Sequence, residues 1–368
     1  MQLPVDIKAV IDAATNIDEA RQTALSVSVY FDDSAPGDVQ AHVRQAFASA
    51  SPHARVSLVY LDGREIVPYA GDDMAVIVAG LSERVGACAS DLRAAGVPAM
   101  VVTTLPSLVA DIAQAQGCAI PQGDLISPKV RRPSVVPFEA SPKEDAPSPT
   151  TTRLPAASEP YPVDPAVASS LDERMGGWII AACNEKRLAF ALAFPFVRKP
   201  LSLDAVGSTA LQNAGVGLLV IIPGADMPVM TLNQAKMLLM IAAAYGEELN
   251  MERVKELAAL VGGAFACRAV ARQLVTFVPA LGWAVKAAIG YTGTVAMGRA
   301  AIEYYEGGIT LGRLADVVAK ARDKAVAAAA SQAAAKARAA GASTVAGLRQ
   351  RVTRATAHLP GGDAAVHR

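Results

Sequence analysis

Four short runs rich in β-branched residues, spaced along the first third of the chain, constrain the fold more than any other feature. They are LSVSVYF (25–31), ARVSLVYL (54–61), MAVIVAG (74–80) and AMVVTT (99–104). Each is too short for a typical helix and largely apolar, the pattern of strands buried on both faces. Between them lie helical patterns at 37–49, at 82–95 closing on Gly96, and at 106–116 closing on Gly117. This alternation predicts an α/β domain over residues 1–127, a parallel sheet covered by helices.

Such a sheet binds ligands outside the carboxyl ends of its strands, and a nucleotide is the first candidate. A phosphate-binding loop after the first strand needs glycines, a lysine and free backbone N–H groups to neutralise phosphate charge. The first run is followed instead by Asp32-Asp33-Ser34-Ala35-Pro36-Gly37-Asp38, with one glycine, no lysine and three carboxylates. Carboxylates suit a helix start and repel phosphate. No G-x-G-x-x-G occurs in this domain either.

The run AVIVAG…LRAAGVPAMVVTTLP is loosely similar to the second half of a small GTPase-like domain, which implies a Rossmann-like or GTPase-like sheet. That family reads guanine with an N/T-K-x-D motif after its last strand, where this chain has Thr103-Thr104-Leu105-Pro106. The resemblance therefore implies an α/β interaction domain without a P-loop, a cofactor or catalytic residues. A nucleotide-binding or hydrolysing domain with an atypical loop remains the alternative.

No other constellation points to chemistry. His42 reads as a helix-surface residue, His53 follows Pro52 in a loop, and His358 and His367 lie near the end, with no spacing that suggests a metal site. Asp72 and Asp73 read as caps at a turn or at the start of a strand. Cys88, Cys118, Cys183 and Cys267 are far apart, without a C-x-x-C, and read as buried reduced thiols of a cytoplasmic setting. The start, MQLPVDIKAVIDAATNIDEAR, has neither the basic nor the apolar region of a signal peptide.

After residue 127 the composition shifts. Ten prolines fall between Pro128 and Pro165 among Ser, Thr and Ala, so 128–170 reads as a Pro-rich disordered linker. Residues 171–308 form an apolar helical block, expected to be an all-α domain. The whole chain is 52% apolar but only 18% charged, against about 25% in typical soluble domains. Residues 309–368 form an Ala-rich helical tail with ten Lys or Arg and three Asp, a net charge of +7 that leaves −7 on the rest.

Within the apolar block, Asp204 is expected to cap a helix from Ala205 that stops before Pro223. About 18 residues would reach roughly 27 Å, near the thickness of a hydrocarbon core. Asn213 lies on the polar stripe of that helix. Pro223, Gly224, Asp226 and Pro228 form a chain-reversing turn, and Thr231 to Gln234 reads as a capping box for a helix from Leu232 to Tyr245, closed by Gly246. Asn250 is expected to cap an amphipathic helix. Arg268 and Arg272 precede a further apolar stretch broken by Pro279 and Gly282. Gly290, Thr294 and Gly298 stand four apart, a small-residue series that lets helices approach closely, within one chain or between copies. Trp283 and Tyr291 suit a membrane interface, and Lys286 can snorkel to it.

The stretch from about Pro200 to Tyr305 resembles the YcjF-type domain associated with GTPases, a helical family with membrane-associated members. The shared residues are the Asn233-Gln234 helix start, the helix end Ile241, Ala242, Tyr245 and Gly246, the Pro279–Gly282 break, and Thr294, Gly298, Ala300 and Tyr304 at the close. The resemblance implies a GTPase partner. The basic groups Arg268, Arg272, Lys286, Arg313 and Lys320 suit an anionic cytoplasmic leaflet, at about 1 kcal/mol each near the surface. Nucleic acid is disfavoured as a partner, because the tail carries no aromatic residue to stack on bases. The expectation is a non-enzymatic, membrane-associated scaffold on the cytoplasmic side of the cell membrane, integral or peripheral, with self-association through the helical domain. A soluble interaction module is the other alternative.

Overall fold

The structure is a computed structural model that describes residues 7–63, 66–129, 162–219, 226–249 and 282–307. Helix α1 (Ile7–Arg21) leads into β1 (Leu25–Phe31), α2 (Gly37–Ala46), β2 (Ala54–Tyr60) and β3 (Met74–Val78). Then follow α3 (Arg84–Ala94), β4 (Ala99–Val102), α4 (Pro106–Ala115) and β5 (Leu125–Ile126). The five strands form one parallel sheet in the order β2-β1-β3-β4-β5. The four β-branched runs are β1 to β4. Helix α1, with Val10, Ala14 and Ile17 as its buried stripe, and the two-residue β5 stand outside that expectation.

Strands β1, β3 and β4 are buried on both faces, as in other parallel sheets, but β2, expected to be buried likewise, lies at the sheet edge and has no buried residue. Side chains alternate across the sheet. Tyr30, Ala75, Ile77 and Val101 pack on one face with Val85, Cys88, Ala89 and Leu92 of α3 and Val109 of α4. The other residues of the same strands, among them Val29, Phe31, Val76, Val78 and Met100, are equally buried. Their face carries α2, whose Val39 and Val43 are fully covered. Three helices here end in the same way. After α3, α4 and a later helix, Gly96, Gly117 and Gly246 adopt φ of +79°, +71° and +86°. In each case the glycine N–H and the next N–H return to carbonyls of the last turn, which satisfies two orphan acceptors.

Beyond the Pro-rich stretch, of which 130–161 lie outside the described residues, come α5 (Pro165–Ala182), one 3-10 turn (Asn184–Lys186), α6 (Arg187–Ala193) and α7 (Pro195–Leu219). Then come α8 (Asp226–Ala244) and α9 (Gly282–Tyr305). The chain forms two compact units: residues 7–205 with 236–255, and residues 206–235 with 1–6 and 256–368. The sheet's unit therefore runs well past position 171, where the sequence drew a boundary.

The reason is visible in α5. Its Asp164 cap accepts from the N–H groups of Ala166 and Val167. Val167, Leu171, Met175 and Ile179 then recur every four residues as a buried stripe, each contributing about 1.5–3 kcal/mol by burial. Polar contacts fix its position: Trp178 donates to Asp124 (3.0 Å), Arg174 to the Ser127 carbonyl, and Ser170 accepts from the Lys129 N–H (2.8 Å). His42, expected on a helix surface, is largely covered and meets Asp172 at 2.8 Å. Phe47 at the end of α2 packs on Phe194 and Phe196, with ring centroids 5.1 and 5.2 Å away.

Two helix starts differ from the sequence reading. Asp204 caps nothing: α7 passes straight through it, and its carboxylate pairs with Arg187 at 3.1 Å. Phe194 is extended, as a residue before proline prefers, and Pro195, which has no N–H to satisfy, opens the helix there. Likewise α8 begins at Asp226, so Thr231 is inside the helix rather than at its cap, and Asp226 and Pro228 belong to its first turn instead of a reversing turn. A first-turn proline costs no hydrogen bond. Pro223, Gly224, Asn250, Arg268, Arg272, Pro279, Arg313 and Lys320 lie outside the described residues. Among the described residues no helix is long and apolar enough to cross a membrane.

Burial pushes the Cys88 thiol up to about 12, and burial with the nearby Asp73 does the same for Cys183. Both are then neutral at pH 8, and the thiolate is the reactive form. We expect iodoacetamide at pH 8 to leave Cys88 and Cys183 unmodified in the folded chain and to label both in guanidinium, read by peptide mass spectrometry. Labelling of either in the folded state at the rate of a free thiol would contradict this packing.

Candidate functional site

In a sheet of this order the chain reverses its winding between β1 and β3, and ligands of doubly wound folds sit in the crevice beyond that point. The residues there are Asp32 to Ala35 after β1, Gly80 to Ser82 after β3, and Thr103 and Thr104 after β4. Asp32 is 3% exposed. Its carboxylate accepts from the N–H and the hydroxyl of Ser34 (3.2 and 2.8 Å), from the Gly80 N–H (2.9 Å) and from the Ser82 N–H (3.3 Å). Ser34 Oγ in turn accepts from the Leu81 N–H at 2.8 Å.

The backbone closes the same space. A Cβ built on Gly80 would stand 2.2 Å from the Ser34 carbonyl carbon, so only glycine lets the two loops meet. N–H groups that would cradle an anion in a phosphate site are thus spent on the chain's own carboxylate. The other two acids of the loop do not assemble with it. Asp33 is exposed, and Asp38 accepts from the N–H groups of Val39 and Val163 (both 2.9 Å). The nearest downstream cation, Arg44, lies over the Phe31 ring at 4.8 Å.

Thr103 and Thr104 are fully buried. Thr103 Oγ1 accepts from the Leu105 N–H at 3.0 Å, and the Thr104 hydroxyl has no partner among the described residues. Neither reaches a surface where a base would be read. At the opposite end of the strands, Asp72 and Asp73 tie β1 to the start of β3. Ser26 donates its hydroxyl to Asp72 (2.7 Å) and its N–H to Asp73 (2.9 Å), while Arg55 and Lys186 approach the same carboxylates at 3.3 and 2.6 Å.

A cavity of about 600 Å³ lies where α1, α6 and α8 end, lined by Arg21, His53, Arg198 and Glu248 among others. Its arginines serve helix ends. Arg21 donates to the Glu247 carbonyl (2.7 Å) and pairs with Asp18, and Arg198 donates to the Ala191 carbonyl at 3.3 Å. Among the described residues no group of three or more His, Cys, Asp or Glu is placed to hold a metal ion.

The second unit gathers four residues singled out in the sequence. Asn213 of α7, Asn233 and Gln234 of α8, and Thr294 of α9 meet in one buried polar knot. Asn213 and Gln234 donate to Thr294 Oγ1 at 3.0 and 2.9 Å, and that hydroxyl donates to the Gly290 carbonyl at 2.7 Å. A threonine oxygen has one donor and two acceptor sites, so all three are used. Asn233 donates to Asn213 Oδ1 at 3.0 Å. Gly290 and Gly298 lie on the same side of α9. An added Cβ would stand 2.6 Å from Met230 and 2.2 Å from Val206 respectively. Tyr291 is exposed, and Tyr245 is half-buried just after α8. Gly282, Trp283 and Lys286 lie in the first turns of α9, where the helical backbone alone is described. No protein family matches this chain, and no curated protein or solved structure shows significant similarity to it.

Two substitutions probe these arrangements. Asp32→Ala strips the acceptor from four buried or half-buried donors and should cost about 3 kcal/mol, or roughly 6–12 °C of Tm. Thr294→Val keeps the shape of the side chain but removes the oxygen that accepts from the Asn213 and Gln234 amides, and should cost about 2–3 kcal/mol in the melting of helical circular dichroism. A Tm within 1–2 °C of the parent in either case would contradict the networks described.

Proposed function

We propose that this protein is a non-enzymatic, membrane-associated scaffold on the cytoplasmic side of the cell membrane that works with a GTPase partner. The observation that carries the reading is the Asp32 carboxylate: it fills, as an internal anion, the place where this kind of sheet holds a ligand's phosphate. Catalysis on a triphosphate would require removing that anion and importing a cation, and the loop from Asp32 to Val43 contains no Lys or Arg.

The lipid-facing half of the proposal rests on the helices of the second unit, read as an apolar all-α domain. Asn213, Asn233, Gln234 and Thr294 satisfy one another in the Thr294 knot, as polar groups in a low-dielectric setting do, while Ser208, Gln212 and Thr292 are exposed. Leu211, Val229 and Tyr291, one from each helix, are 69%, 47% and 44% exposed. The attachment proposed needs no spanning helix, because apolar side chains at the interface and basic groups against an anionic leaflet add together. The GTPase partner rests on the resemblance of Pro200–Tyr305 to a GTPase-associated domain.

Flotation of the full chain with vesicles decides the lipid part. We expect it to float with vesicles containing phosphatidylserine, far less with phosphatidylcholine alone, and to be released by high salt or carbonate. Failure to float with either would leave a soluble interaction module as the better reading. GTP or ATP at 1 mM should leave the Tm unchanged, and a clear rise would return the enzyme reading to the front.

A further inference from the structure

We infer that the free edge of the sheet, strand β2, is a docking surface for a second copy of this chain, paired antiparallel about a twofold axis at Ser57. This surface belongs to the sheet's unit and does not depend on the membrane reading.

The edge is open and its hydrogen-bonding phase is fixed by the structure. Leu25 donates its N–H to the His53 carbonyl, and Leu61 donates its N–H to the Phe31 carbonyl. Odd-numbered residues of β2 therefore turn their backbone groups toward β1, and Ala54, Val56, Leu58 and Tyr60 turn theirs outward. Of these outward groups, the Ala54 N–H is spent on the Ser51 carbonyl and the Tyr60 carbonyl accepts from the Asp62 N–H. The N–H and carbonyl groups of Val56 and Leu58, the Ala54 carbonyl and the Tyr60 N–H have no partner among the described residues.

Edge strands are usually blunted by charges, prolines or bulges. This one runs seven residues in unbroken register with β1, without a proline. Its one ionic side chain, Arg55, is committed to Asp72 and to the Tyr69 ring. Of the ten large apolar side chains exposed among the described residues, Leu58 and Tyr60 lie on this edge and Tyr69 beside it under Arg55, at 46%, 51% and 55%.

What selects a second copy as the occupant is that the strand complements itself. Antiparallel pairing centred on Ser57 overlaps all seven residues. It sets Val56 opposite Leu58 of the other copy, and Ala54 opposite Tyr60, a smaller side chain against a larger one each time. Arg55 falls opposite Val59, so the like charges do not meet. Outward backbone groups face outward backbone groups throughout, which gives two full hydrogen-bonded pairs between Val56 and Leu58 and one further bond from each Tyr60 N–H to an Ala54 carbonyl. Ser57 meets its own copy in a non-hydrogen-bonded pair, where Cα atoms are about 4.5 Å apart. The contact would be isologous, as in most dimers, and would join two five-stranded sheets into one.

That geometry is tested in the full chain by cysteine substitution. A cysteine at 57 lies within disulfide reach of its copy, whereas one at 60 lies roughly 20 Å from its own, at about 3.4 Å per residue. Under mild oxidation we expect Ser57→Cys to give a reducible species of twice the mass that survives tenfold dilution, and Tyr60→Cys to give at most a trace. Leu58→Lys, on an exposed side chain, should turn a sedimenting dimer into a monomer without lowering the Tm. A monomeric parent chain at tens of micromolar, equal cross-linking at 57 and 60, or a dimer unaffected by Leu58→Lys would each overturn the inference. A strand from a different protein on this edge would appear as the absence of the 57–57 cross-link.

Discussion

The need to cover both faces of a parallel sheet governs this molecule. The connections β3–α3–β4 and β4–α4–β5 place their helices on one side, and α2 after β1 serves only part of the other. Among the described residues no helix joins β2 to β3. Over β4 and β5 the second face is left with Val102, Met100 and their neighbours and no local helix to shield them. Helix α5 fills that gap from across the Pro-rich stretch, with a stripe of one apolar residue per turn aimed at the sheet.

The same constraint explains which parts of the fold can be read from the sequence. Strands β1, β3 and β4 are legible because each is buried on both faces and so is a largely apolar run, whereas β2, an edge strand without a buried residue, is legible only by its β-branched and aromatic residues. Gly96, Gly117 and Gly246 mark helix ends because only a positive φ closes those turns. The position of α5 is not legible. Its first turn falls inside the stretch 128–170, which the prolines make read as a disordered linker, and the rest of it lies beside other apolar helices and reads as one of them. The Phe47 contacts with Phe194 and Phe196 join segments nearly 150 residues apart, and nothing local encodes such a pairing.

The candidate site was half legible. The acids after β1 signal that phosphate is unwelcome, but all three read alike. Only the fold separates Asp32, buried against Gly80 and Ser82, from the exposed Asp33 and from Asp38, which holds the approach to α5. In the second unit the Gly290–Thr294–Gly298 spacing points to close contact, whereas the convergence of Asn213 and Gln234 on a single hydroxyl depends on the phases of three helices. Gln234 misleads in isolation, because Thr-x-x-Gln looks like a cap wherever it falls, and the start of α8 is set further upstream.

Helix α5 also imposes an order on how the chain is made. By the time β5 has left the ribosome, every strand of the sheet exists, yet the part of one face over β4 and β5 is still without its covering helix. It remains so until the translating machinery has added the Pro-rich stretch and the eighteen residues of α5.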